Sequence, residues 1–431
     1  MDAVLPDAAV ADGRVNQSLD IESQVDVDES LGNAVAEVAP TNVETAVEDD
    51  YLTVTMLSVG LAQILQRRAF ATAGGRAVGV RDDDGLLPAA WRVGFSRLWW
   101  RFTAQGAPPL TSDLELMALC QVPLVTWPVT LRLSEADLQN TLLVDGELSS
   151  FAEQGARLAH ADVEAEWVED RVHQALRAAA SANGADDGEV ECAYALLRRY
   201  LIDHAALTDR EVQALERRFP KTDNSGQTYV RRLIDAAYVA RPAASAEQLW
   251  LCPQCRNVLD SRADRCGTAG CAGGPGEIVV LTPLAAIFVQ HRATRQFIHD
   301  PGLVEARIID ALRVKDLAET VRVTAYPRVD VLDVLIEFLV KDNSGKARVL
   351  EVWGVDAKDQ VSANLLGRGF TWPASIDCHR RFLALPMHRA HQPGYVADLE
   401  AELDGRVVGV QVVSERELIA KVRTRARRLM S

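Results

Sequence analysis

Apolar positions recur with two different periods along this 431-residue chain. From about residue 51 to 245 they fall three and four apart, the spacing of a helix face packed on a core. Residues 51–70 carry Met56, Leu57, Val59, Leu61, Ile64 and Leu65, and run out near Gly74-Gly75, which predicts a helix. Trp91, Phe95, Leu98, Trp99 and Phe102 repeat the spacing. Ser112-Asp113-Leu114-Glu115 has the form of a capping box ahead of an apolar run. Further helices are predicted over 151–180, 192–207 and 227–241. Thr208 to Glu211 caps another that runs to Phe219-Pro220, and Pro242 stops the last. This stretch shows no strand signal.

The texture changes after about 245. Residues 303–320 again form an amphipathic helix pattern, but 321–326, 333–340, 347–358, 379–385 and 407–413 are β-branched, strand-length runs. KDNSGK at 341–346 is a hairpin turn, a short helix is predicted near 361–366, and a basic helix closes the chain over 415–428. The C-terminal third is therefore expected to be α/β.

Charge is unevenly spread. The formal net charge is −15, yet residues 1–50 hold 13 acids, one base (Arg14) and no aromatic residue, so the rest is nearly neutral. A segment of that composition cannot offset its ordering entropy by burial and is expected to be disordered. Partition by texture gives an acidic tail at 1–48, a helical domain at 49–245, a cysteine-rich module at 246–282 and an α/β domain at 283–431. No apolar run approaches the roughly 18 residues of a spanning helix, and the N-terminus lacks the basic-then-apolar pattern of a secretory signal. A cytoplasmic protein that makes no membrane contact is expected.

Four of the seven cysteines lie within 20 residues of one another. Cys252 and Cys255 form C-x2-C, and Cys266 and Cys271 form C-x4-C after a ten-residue spacer. Two such knuckles can each offer two thiolates to one tetrahedral ion. The pattern resembles a zinc ribbon, and an iron–sulfur cluster would also take four cysteines. With every ligand supplied by protein, such a site is structural. Cys120, Cys192 and Cys378 are scattered and read as small apolar residues.

The strand at 347–358 ends in Asp356-Ala357-Lys358. Residues two apart on a strand share a face, so Asp356 and Lys358 point the same way, and Asp333 opens the preceding strand. Carboxylates brought together repel unless a cation sits between them, and Mg²⁺ or Mn²⁺ suits oxygen ligands. A lysine beside them can hold water or stabilise a phosphoryl transition state. The alternative is a surface ion pair worth at most about 1 kcal/mol.

The order of helix, strand, Asp-led strand, turn, Asp-x-Lys strand, helix and strand resembles the restriction-endonuclease-like fold of the PD-(D/E)xK nuclease superfamily. That resemblance implies metal binding by Asp333 and Asp356 and water activation by Lys358. It also suggests Glu305 as a further acid from the preceding helix, Asp330 as a rival for Asp333, and Asp359 or Gln360 as a polar helper. The whole layout resembles the restriction-endonuclease-like component of the prokaryotic Piwi three-gene defence systems, the pPIWI-RE modules. This implies DNA as substrate, and a Piwi-like protein and a DinG-type helicase as partners. The competing reading is a non-catalytic zinc-ribbon adaptor that binds nucleic acid or a partner protein. Two basic features bear on either: Arg92, Arg97 and Arg101 beside the tryptophans, and Lys421, Arg423, Arg425, Arg427 and Arg428 at the end of the chain. No P-loop, G-x-S-x-G or H-E-x-x-H motif occurs.

Overall fold

The computed structural model describes residues 49–72, 87–158, 163–242, 247–259, 266, 268–273, 276–281, 286–342 and 345–430. The acidic tail expected at 1–48 lies outside the described residues.

Helix α1 (Asp50–Thr72) pairs with α2 (Ala89–Ala104). Trp91, Leu98 and Phe102 of α2 are fully buried against α1, and the Trp91 indole donates to Asp113 at 2.6 Å. Arg97 and Arg101 are not spread for a nucleic acid. Arg101 grips Asp50 at 2.6 Å, and Arg97 donates to the Asp49 carbonyl at 2.9 Å. Helix α3 (Asp113–Leu119) starts at Ser112, whose hydroxyl accepts from the Glu115 amide, as the capping pattern predicts. The predicted helix over 151–180 is instead α4 (Ser150–Leu158) and α5 (Val163–Asn183). Helices α6 (Asp187–Asp203), α7 (Asp209–Arg218) and α8 (Tyr229–Ala237) follow, and α7 opens with a complete capping box between Thr208 and Glu211.

The helical stretch also holds strands that its period did not announce. β1 (Ala206–Thr208) and β2 (Tyr238–Pro242) flank a later strand, β6 (Ala286–Gln290), in a three-stranded sheet. Residues 238–241 were expected to be helical. Their β-branched and aromatic members leave the helix at Tyr238 because β6 supplies a partner edge. The cysteine module is built on β3 (Glu247–Leu251), β4 (Val258–Leu259) and β5 (Glu277–Leu281), with β3 in the middle.

Helix α9 (Asp300–Leu312) leads into a five-stranded mixed sheet ordered β11-β10-β9-β8-β7. β7 (Val321–Ala325), β8 (Val334–Lys341) and β9 (Ala347–Ala357) form an antiparallel meander. β10 (Arg380–Leu385) and β11 (Val410–Ser414) then add in parallel. Val334, Ile336 and Phe338 alternate inward on β8 and are fully buried, each contributing about 1.5–3 kcal/mol of burial. α10 (Ala363–Gly369) and α11 (Tyr395–Leu403) cover one face with Leu383 and Leu385, and α12 (Glu415–Met430) covers the other.

The hydrophobic core does not stop where the sequence texture changes. Tyr194, Leu197 and Leu201 of α6 and Leu233 of α8 lie in the same buried cluster as Ile309, Ile336 and Phe382. Asp137, only 1% exposed, joins the first helices to the sheet domain by accepting from Tyr51 Oη at 2.7 Å and Ser362 Oγ at 2.9 Å.

Candidate active site

Antiparallel register pairs Val334 with Val355, which brings the residues just outside, Asp333 and Asp356, to the same end of the sheet. Asp333 is anchored there: its Oδ2 accepts the Ala357 amide at 2.6 Å. Lys358 Nζ lies 2.5 Å from Asp356 Oδ1. Glu305, on α9, approaches from beneath and is 2% exposed, against 7% for Asp333 and 9% for Asp356. Burial, together with the charges of Glu305 and Asp356, pushes the Asp333 carboxyl well above the ordinary range, although Lys358 and Arg198 oppose the shift. Lys358 is raised in turn, its carboxylate neighbours Asp356 and Asp333 overcoming burial.

Asp330 faces elsewhere. Its Oδ2 accepts from Arg198 Nη1 at 2.7 Å and Tyr194 Oη at 2.9 Å. The other arm of Arg198, Nη2, reaches Glu305 at 3.1 Å. The guanidinium is 6% exposed, lies over the Tyr326 ring, and so separates two carboxylates inside the core. The turn that carries Asp330 is left-handed: Tyr326, Arg328, Val329 and Asp330 have φ of 52°, 52°, 57° and 79°. Side chains other than glycine pay about 1–2 kcal/mol each for that conformation, and the surrounding ion pairs hold it.

Around Asp333 the site thus gathers Glu305, Asp356 and Lys358, with Arg198 shared between Glu305 and the outlying Asp330. Fully ionised, these acids outnumber their cations. As they stand, the oxygens are not gathered at one point. Among the described residues, the group of three or more His, Cys, Asp or Glu side chains whose ligand atoms converge is the cysteine quartet, and no carboxylate belongs to such a group.

Sequence reasoning missed several residues around this site. Arg198 was legible as a base on the apolar face made by Tyr194, Leu197 and Leu201. Gln154 of α4 carried no signal, yet it clamps the segment after Lys358: its Nε2 donates to Gln360 Oε1 at 2.7 Å and to the Ser362 carbonyl at 2.9 Å. Asp359 accepts from His388 Nε2 at 3.0 Å and Arg389 Nε at 2.9 Å, and these hydrogen bonds, with the Arg389 charge, hold it below the usual carboxylate range in spite of burial. Two of the terminal bases have protein partners, Arg425 and Arg423, the latter donating to the Ala311 carbonyl at 3.3 Å. Arg425 pairs with Glu351 at 2.8 Å and lines a groove with Trp353 and Arg380, where β10 begins, three residues before Asp356 on β9.

The four cysteines bring their sulfurs within 4.8 Å of one another, with 3.5 Å for Cys252–Cys271 and for Cys255–Cys266. A four-coordinate ion with bonds of about 2.3 Å places its sulfurs about 3.8 Å apart, so this donor set could hold a metal ion. Burial raises the Cys252 thiol, but the backbone amides of Cys255 and Gln254 outweigh it and draw the pKa down to about 7, whereas burial pushes the Cys255 and Cys271 thiols up, so without an ion the four do not all ionise together. Gly273 is required here, since a Cβ would sit 2.4 Å from Cys252 Sγ. Buried His299 ties the quartet to the sheet domain by contacting the Cys255 carbonyl through Nε2 at 3.0 Å and Asp300 through Nδ1 at 2.8 Å.

Helix, antiparallel meander, acid-x-Lys strand end and parallel crossover together describe a restriction-endonuclease-like domain, and a family comparison agrees. Residues 302–429 match the family described as the REase associating with pPIWI_RE. The pPIWI-RE REase resemblance read from the sequence is therefore supported over under a third of the chain. No curated protein and no solved structure matches. No helix among the described residues is long and apolar enough to cross a membrane.

Proposed function

We propose that the C-terminal domain hydrolyses phosphodiester bonds in DNA as the nuclease of a pPIWI-RE defence system. The observation that carries this reading is the charge deficit around Asp333. A carboxyl buried beside Glu305 and Asp356 is costly unless a cation joins it, and a divalent ion with oxygen ligands fits the deficit. Asp333 and Asp356 would hold Mg²⁺ or Mn²⁺, with Glu305 behind them. The ion, when bound, supplies Lewis-acid stabilisation of the phosphoryl oxygens and a more acidic water. Lys358 moves from Asp356 to the attacking water or the developing negative charge, and the Ala357 amide keeps Asp333 in place. Zinc is the natural ion for the cysteine quartet, which would staple the ribbon without entering the reaction. A Piwi-type protein, and a helicase to open the duplex, complete the system.

One observation favours the adaptor reading instead: Lys358 and Arg198 already neutralise Asp356 and Glu305. Plasmid incubated with purified protein and Mg²⁺, Mn²⁺ or no divalent ion separates the two. Metal-dependent cutting that disappears in Asp356→Ala and Lys358→Ala, with melting and zinc content unchanged, supports the nuclease. DNA retained without cutting, in the presence of the Piwi-type protein and helicase as well, overturns it.

A further inference from the structure

Helix α12 carries more bases than its own stability asks for. After Glu417 it holds Lys421, Arg423, Arg425, Arg427 and Arg428 and no acid. Cations in a last turn suit the negative end of the helix dipole, which accounts for Arg427 and Arg428. Arg416 stands in the first turn, at the positive end, where a cation is unfavourable. Arg416, Arg423 and Arg427 recur seven and four apart, so they share one side of the helix over about 16 Å of its axis.

That side forms a groove of about 530 Å³ with α9, whose Arg307 and Ala311 line the other bank. The charged residues of its lining are four arginines and one glutamate. The glutamate, Glu415, is already engaged: it accepts from Arg307 Nε at 2.9 Å and from the Met387 amide at 3.3 Å. Arg423 gives one N–H to the Ala311 carbonyl at 3.3 Å. Among the described residues, Arg416 and Arg427 are exposed and have no hydrogen-bond or ion-pair partner. The sheet fixes where this groove begins. Ser414 pairs with Leu385 and Ala384 with Ala357, so α12 starts at the end of the sheet that carries Asp356 and Lys358. Guanidiniums gathered without counter-charges attract a polyanion, and the fork of donors on each matches two oxygens of a phosphate. One strand of a duplex offers a phosphate every 3.4 Å of axis, about five along a row of this length.

We infer that the groove between α9 and α12 holds the phosphate backbone of DNA through Arg416, Arg423 and Arg427. The inference rests on the nuclease reading for its partner and adds the surface that grips it, separate from Asp333, Asp356 and Lys358. Phosphate contacts carry no base information, so this grip is independent of sequence and falls steeply with salt.

The test is fluorescence anisotropy on the full chain in Mg²⁺-free buffer, with one labelled oligonucleotide of mixed sequence, single and annealed to its complement. Arg416→Gln/Arg427→Gln is compared with the unaltered protein and with two controls. Arg210→Gln/Arg217→Gln removes two exposed bases, and the same charge, from α7. Arg416→Lys/Arg427→Lys keeps the charge in the groove. Loss of two phosphate contacts should flatten the slope of log K against log salt by about 1.8 on the duplex and about 1.4 on the single strand. The advantage of the unaltered protein on the duplex then shrinks about 12-fold between about 50 and 200 mM salt. Both controls should keep the slope. If the glutamine pair melts early, Arg427→Gln alone should flatten the duplex slope by about 0.9. An unchanged slope in a folded glutamine variant, or an equal loss in the α7 control, overturns the inference. Tighter binding of poly-glutamate than of DNA of the same charge also overturns it, and assigns the groove to an acidic protein. Failure of the nuclease reading looks different: no divalent ion produces cutting, while DNA binding still depends on Arg416 and Arg427.

Discussion

Asp333→Asn should make the metal-free protein more stable while destroying its response to Mg²⁺. Asp333 is 7% exposed and its carboxyl is held well above the ordinary range by burial, then Glu305. For an acid whose folded pKa is raised, the sign is fixed: the folded state is not penalised below the unfolded pKa, and loses stability as pH rises towards the folded pKa. With an unfolded pKa of about 3.9 and about 1.36 kcal/mol per unit, the loss cannot exceed about 5 kcal/mol at pH 7.5. Asparagine has no charge to desolvate and can still accept the Ala357 amide through its oxygen, a bond worth about 1 kcal/mol. The gap between variant and wild type should therefore be near zero around pH 4. It should widen by about 1.4 kcal/mol per pH unit, then level off where Asp333 ionises in the folded protein. Urea unfolding followed by tryptophan fluorescence from pH 4 to 8.5, in Mg²⁺-free buffer, measures it. Mg²⁺ at about 100 times its Kd should return about 2.7 kcal/mol to the wild type and nothing to the variant. A variant less stable than wild type at pH 7.5, or a gap that does not change with pH, refutes the reasoning.

Other perturbations follow from the same geometry. Arg198→Met leaves Glu305 and Asp330 buried without their shared cation and should cost about 3–5 kcal/mol, read in the same urea titration. Gly273→Ala places a methyl against Cys252 Sγ and should lower bound metal per chain, measured by elemental analysis, whereas Gly188→Ala, which meets only an ordinary contact with Asp186 at 3.4 Å, should leave it unchanged. Tyr395→Phe deletes the bond from its hydroxyl to the Gln360 carbonyl, 2.7 Å long, and should cost about 1 kcal/mol. A cost below about 0.3 kcal/mol would mean that Gln154 alone holds that segment.

Where local chemistry decided the outcome, the sequence was readable. Thr208 and Glu211 announce the start of α7 because both groups needed for the cap lie within three residues of each other. The strands carrying Asp333 and Asp356 were legible from their period and the KDNSGK turn, but their register at the acids was not, because a bulge between Phe338 and Leu339 shifts the pairing by one residue from the one the turn sets. What could not be read depends on contacts distant in sequence. Tyr238 to Pro242 becomes a strand only because β6, some fifty residues later, offers an edge. Asp330 and Asp333 look interchangeable along the chain, and only Arg198, 132 residues from Asp330, draws them into different surroundings. Gln154 is an ordinary glutamine until it meets Gln360 and Ser362.

The core shared by α6, α8 and the sheet has a consequence for how such proteins are recognised and handled. Similarity concentrates in residues 302–429, yet that segment on its own would expose Ile309, lose the cation between Glu305 and Asp330, and lack α4, whose Gln154, Arg157 and Leu158 line a cavity with Lys358. The stretch by which kinship is detected is thus smaller than the stretch that can stand alone. Expression of residues 302–429 alone should yield aggregated protein.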